Sequence, residues 1–119
     1  MTKLTSIAIS LLLALFLTSI PLADEKKTDK GETGLIWLES YDRAVEQAKK
    51  DGNPILIDFT GSDWCGWCIK LDNEVFSQKE FAEWAKKSVV LLKVDFPARK
   101  AQTPEVKKAN RELAVKYEV

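Results

Sequence analysis

The chain has 119 residues, with 18 basic side chains balanced by 18 acidic ones, no histidine and two cysteines. This length holds one domain at most. Balanced charge without a basic stripe argues against a nucleic-acid partner, and the lack of histidine removes Ser–His and Cys–His nucleophiles and most transition-metal sites.

Lys3 gives a positive start, and Ile7 to Leu17 is a nearly unbroken apolar run that ends in Thr18, Ser19, Pro21 and Ala23. The sequence then turns abruptly charged at Asp24-Glu25-Lys26-Lys27. This pattern predicts a secretory signal peptide over 1–23, and hence a periplasmic or secreted protein. The runner-up is an uncleaved membrane anchor, because Leu4 to Ala23 approaches the length of a span. Pro21 stands where a cut after Ala23 wants a small residue, and no cysteine follows the run to carry a lipid. Residues 24–34 are charged and almost without apolar side chains, so they read as a flexible linker. Residues 35–119 form the folded domain.

Leu35-Ile36-Trp37-Leu38 is a first strand or an extended segment docked on the core. Ser40 is placed to cap a helix in which Tyr41, Ala44, Val45 and Ala48 recur at helical spacing. Asp51-Gly52-Asn53-Pro54 ends it. Ile55-Leu56-Ile57-Asp58-Phe59 is a continuous apolar run, which predicts a parallel strand buried on both faces. After Thr60-Gly61-Ser62-Asp63 a helix opens at the cysteine pair and carries Ile69, Leu71 and Val75. Ser77-Gln78-Lys79-Glu80 has the form of a capping box, starting a helix with Phe81, Trp84 and Ala85 on one side. Val89 to Asp95 is the next strand, and Phe96 to Gln102 a loop. Thr103 and Pro104 then start a last helix with an apolar stripe of Val106, Ala109, Leu113, Ala114 and Tyr117. Strands alternating with helices imply an α/β fold around a parallel sheet.

The chemistry concentrates in Trp64-Cys65-Gly66-Trp67-Cys68. A thiolate at the first turn of a helix is stabilised by unpaired backbone N–H groups and the positive end of the helix dipole. A second thiol three residues on lies one turn away, close enough to attack a mixed disulfide on the first. The spacing therefore predicts a redox pair that forms the disulfide Cys65–Cys68. A structural zinc site needs four ligands, of which this chain supplies two, and haem attachment fails because Ile69 follows Cys68. A purely structural bridge stays open, although so small a loop stabilises weakly. No cofactor and no metal are expected.

Pro54-Ile55-Leu56-Ile57-Asp58-Phe59 leading to Trp64-Cys65-Gly66-Trp67-Cys68 resembles the strand and active site of the thioredoxin superfamily. Lys70 to Ser77 and Leu91-Leu92-Lys93-Val94-Asp95 look like exported thioredoxin-like domains, including the periplasmic C-terminal domain of thiol:disulfide interchange proteins. The resemblance implies a three-layer thioredoxin-like fold with parallel central strands. It implies thiol–disulfide exchange with protein thiols and an upstream redox partner. Cys65 would be the attacking thiolate, Cys68 the resolving thiol, and Asp58 the acceptor of the Cys68 proton. Trp64 would shield the pair, and Gly66 and Trp67 complete its surface, with Trp67 either contacting clients or covering apolar surface. The family includes thioredoxin itself, which has Gly-Pro where this chain has Gly66-Trp67 and one residue fewer between the equivalents of Asp58 and Cys65. The family also continues past the position of Val119 with a cis-proline loop, a hairpin and a final helix, so this chain is expected to be an incomplete domain with an open sheet edge. Neither Gly66 nor Trp67 adds positive charge and Asp63 adds a negative one, which favours a reductase or electron relay over a strong oxidant. A non-catalytic binding or chaperone-like module is the alternative.

Overall fold

The computed structural model describes residues 29–30 and 33–119. The expected signal peptide (1–23), and residues 24–28, 31 and 32 of the expected linker, lie outside the described residues. In chain order the elements are β1 (Asp29–Lys30), β2 (Ile36–Leu38), α1 (Tyr41–Asp51), β3 (Ile55–Thr60), α2 (Gly66–Leu71), α3 (Lys79–Ser88), β4 (Val90–Asp95) and α4 (Pro104–Tyr117). A π-helical turn, Asp72–Phe76, continues α2 without a break. β1, a strand that the sequence does not announce, pairs antiparallel with β2 through Asp29–Trp37 and Lys30–Ile36.

The sheet order is β1-β2-β4-β3, and β2, β4 and β3 run parallel. The chain therefore leaves β2, passes over the site of β4 to make β3, and returns to fill the gap. Crossovers between parallel strands are right-handed, so reversing the direction of travel puts the two connections on opposite faces. α1 and α4 cover one face, where Ala44 and Leu113 pack on Val90, Leu92 and Val94 with Ile55, Ile57 and Phe59 around them. α3 and the π turn cover the other, where Ala82 and Ala85 pack with Trp37, Leu91, Leu56, Phe76 and Phe81. The result is the expected three-layer α/β fold.

Burial differs from expectation in the sheet. β3 has a ladder partner on one side only among the described residues, and its Ile55 to Phe59 are half-buried. β4 is the strand buried on both faces, since it sits between β2 and β3, and Leu92 is wholly enclosed. An apolar run thus encodes a parallel strand, whereas its position in the sheet follows from the order in which crossovers fill it. On the cysteine helix and the turn that follows it, Ile69, Leu71 and Val75 are exposed at about two-fifths of their surface. α2 buries none of its residues, and the π turn aims Phe76 at the core, with ring centroids 5.1 Å from Trp37 and 5.0 Å from Phe81.

The helix ends follow local chemistry in part. Thr103 caps α4, its hydroxyl accepting from the Val106 N–H at 3.3 Å with Pro104 in the first position. Gly52 closes α1 at φ 70, a left-handed conformation that glycine adopts without strain. The capping box does not form: α3 starts one residue later than expected, with Gln78 at its N-cap, and the Gln78 amide reaches back to the Asn73 carbonyl. Ser40 occupies the α1 N-cap without a side-chain cap bond.

Candidate redox site

The cysteine loop leaves the carboxyl end of β3, the end of a parallel sheet where crossovers on opposite faces open a crevice. Trp64 and Cys65 both donate their backbone N–H to the Gly61 carbonyl, at 3.2 and 2.9 Å, and this turn delivers Cys65 to the N-cap of α2. The Cys65 Sγ accepts the Cys68 N–H at 3.2 Å, and the two cysteines are joined as a disulfide with Cα atoms 5.2 Å apart. A sulfur that accepts a backbone N–H at a helix start is placed where negative charge is favoured. Both cysteines are half-buried.

The tryptophans divide in their surroundings. Trp64 is 60% exposed, its indole folded back over Gly61 and donating to the Phe96 carbonyl at 2.7 Å. Gly61 is required by that close approach, because a Cβ there runs into the indole ring. Trp67 is 80% exposed, and its contact of note is the Lys70 ammonium 5.4 Å above its ring. Among the described residues it covers no core.

Asp58 stands in β3 beside Leu56 on the alternation that faces the π turn and α3, which is the face that also bears the cysteine helix. Its register partner in β4 is Lys93. Burial pushes the Asp58 carboxyl above the usual carboxylate range; Lys93 pulls it back, and Asp72 and Asp95 add to the rise. The sequence singles out Asp58 but not Lys93 or Asp72, whose relevance depends on strand register and on the course of the helix. Lys93 also lies 5.3 Å from the centre of the Trp37 ring.

The loop is stitched to the segment after β4. Ser62 gives both its N–H and its hydroxyl to the Asp95 carboxylate. Asp63 accepts from three successive amides, Ala98 at 2.8 Å, Arg99 at 2.7 Å and Lys100 at 3.0 Å. These amides, the Ala98 N–H above all, hold the Asp63 carboxyl below the usual range against a smaller opposing effect of burial. Phe96 returns its N–H to the Thr60 carbonyl at 2.8 Å, while Gln102 and buried Asn110 both donate to the Asp95 carbonyl. From sequence, Asp63 reads as a bare negative charge near the sulfurs. The Asp-x-Cys spacing carries no hint that its partners lie 35 residues on. No group of three or more His, Cys, Asp or Glu gathers as a metal site among the described residues.

This geometry has clear counterparts. Residues 36–115 match the model of the Thioredoxin-like family. The chain belongs to that family. It is 42% identical over 85 residues to the disulfide bond reductase DsbH of Chlamydia pneumoniae, a match covering 71% of this chain and 51% of that protein. It is 27% identical over 117 residues to the thioredoxin-related protein DsbJ of the same organism, covering 98% of this chain and 32% of that one. The chain thus spans about half or less of these curated relatives. A solved structure of DsbH oxidoreductase superposes with a TM-score of 0.65 at 36% identity, over 82% of this chain and 69% of that one. A thioredoxin from Thermus thermophilus, at 23% identity and a TM-score of 0.52, shares the fold.

Proposed function

We propose that this protein carries out thiol–disulfide exchange on exported protein clients, in the reducing direction, through Cys65 and Cys68. The observation that carries the reading is the Cys65 Sγ at the N-cap of α2, accepting the Cys68 N–H and bonded to the Cys68 sulfur. Similarity to a disulfide bond reductase supports the direction.

In the reduced state the Cys65 thiolate attacks a client disulfide. A mixed disulfide forms and one client sulfur leaves as a thiolate. Cys68 gives its proton to Asp58 and attacks the Cys65 Sγ, which forms Cys65–Cys68 and releases the second client sulfur. Two electrons pass from the cysteine pair to the client, and protons from solvent and Asp58 return to the client thiols. An upstream dithiol partner restores the reduced pair by the same exchange. Asp58 suits the proton step because burial moves its titration towards the range in which thiols ionise. Export agrees with such chemistry, since disulfide clients are found outside the reducing cytosol. It also agrees with the apolar run of Ile7 to Leu17 ahead of the charged segment.

The test is insulin reduction by dithiothreitol with the full chain present. Wild type accelerates it and the Cys65→Ser, Cys68→Ser double variant does not, whereas Cys68→Ser alone accumulates mixed disulfides visible by mass spectrometry. A double variant as active as wild type overturns the exchange reading in favour of a binding or chaperone-like module.

A further inference from the structure

The segment 62–64 makes hydrogen bonds into one short stretch, residues 95–100, from each of its three side chains. Ser62 and Trp64 contribute through a hydroxyl and an indole. Asp63, between them, contributes a carboxylate that binds three consecutive backbone amides. Hydrogen bonds to an ionised acceptor are the stronger kind, and successive N–H groups on a bend form a concave anion seat. The residue after Trp64 is the N-cap cysteine, so whatever holds 62–64 also holds the Cys65 backbone.

We infer that Asp63 is a positioning residue for the redox centre: by seating its carboxylate on the amides of Ala98, Arg99 and Lys100, it ties the segment after β4 to the loop that presents Cys65. The inference rests on Cys65 being the attacking sulfur. It gives Asp63 a consequence opposite to the one its charge alone suggests. A bare carboxylate near a thiol disfavours the thiolate, so its removal should make Cys65 more reactive. A carboxylate engaged by three amide dipoles has much of its field offset, and what its removal takes away is the geometry that sets Cys65 at the helix start.

Asp63→Asn separates the two, since it keeps the shape, deletes the charge and places an NH₂ group against amide donors that need an acceptor. The reduced full chain is treated with iodoacetamide at pH 7, and modification of Cys65 is followed by peptide mass spectrometry. Amide hydrogen exchange at 98–100 is measured in parallel. The expected result is slower modification of Cys65, by about threefold, as its sulfur loses the seat at the helix start that favours the thiolate. Exchange at Ala98, Arg99 and Lys100 should quicken by at least about tenfold, as the loss of a charge-assisted hydrogen bond allows. Unchanged or faster modification overturns the inference, even if the variant melts at a lower temperature, and so does unchanged exchange. Ala98→Pro removes one donor while leaving the Asp63 charge, and keeps the question open to test if Asp63→Asn fails to fold. It too should slow modification of Cys65, and an unchanged rate counts against the clamp. No client enters these measurements, so they stand or fall separately from the insulin assay.

Discussion

Replacing Asp58 by Asn removes a carboxylate whose neutral form the fold favours, and two consequences of opposite value follow. Burial raises its titration above the ordinary range while Lys93, its register partner, opposes the rise. Where the folded pKa exceeds the unfolded one, the native state holds the proton more tightly. Stability is therefore fully present below the unfolded pKa, and is lost as pH climbs through the folded one. The amide of the Asp58→Asn variant carries no such titration. The variant should melt higher than wild type at neutral pH, and the two should converge in acid below the ordinary carboxylate range. Catalysis should move the other way. A positioned general base contributes about 10²–10⁴ in rate. Asp58 is half-buried rather than enclosed, so water partly substitutes for it, and the lower end, about 10², is the expected loss in the resolving step. The assay mixes reduced protein with a disulfide client, quenches in acid at intervals, and follows the mixed disulfide on Cys65 by mass spectrometry. Formation of the mixed disulfide should proceed at the wild-type rate and its decay should slow. Decay at the wild-type rate across pH, or a melting difference that persists unchanged into acid, would refute the role given to Asp58.

Gly61→Ala puts a methyl group into the Trp64 indole and should break its bond to the Phe96 carbonyl. Overpacking of this kind costs about 1–3 kcal/mol. Tryptophan emission should shift and reduction of insulin should slow, whereas an unchanged spectrum would show that the ring moves aside freely. Leu92→Ala empties the centre of the buried strand β4 and should cost about 2–5 kcal/mol in denaturant unfolding, because the site is wholly enclosed and flanked by Val90 and Val94 in the same cluster. A loss below about 1 kcal/mol would mean that the layer collapses to fill the hole.

The cysteine pair, the helices and most of their boundaries were legible in the sequence because each is set by neighbours a few residues apart. A sulfur three residues from another, a threonine before a proline, and a glycine after two lysines act through single turns of backbone. The apolar runs of β3 and β4 announce parallel strands for the same reason. Which of the two is enclosed is decided only in three dimensions, when the return crossover inserts β4 between β2 and β3. The surroundings of the site belong to the same class. Lys93 meets Asp58 through strand register, and Asp63 finds its three amides across 35 residues or more, where no periodicity in the chain connects them. Local hydrogen bonding and side-chain spacing thus determined what chemistry the chain holds, and long-range pairing decided the electrostatic setting in which that chemistry operates.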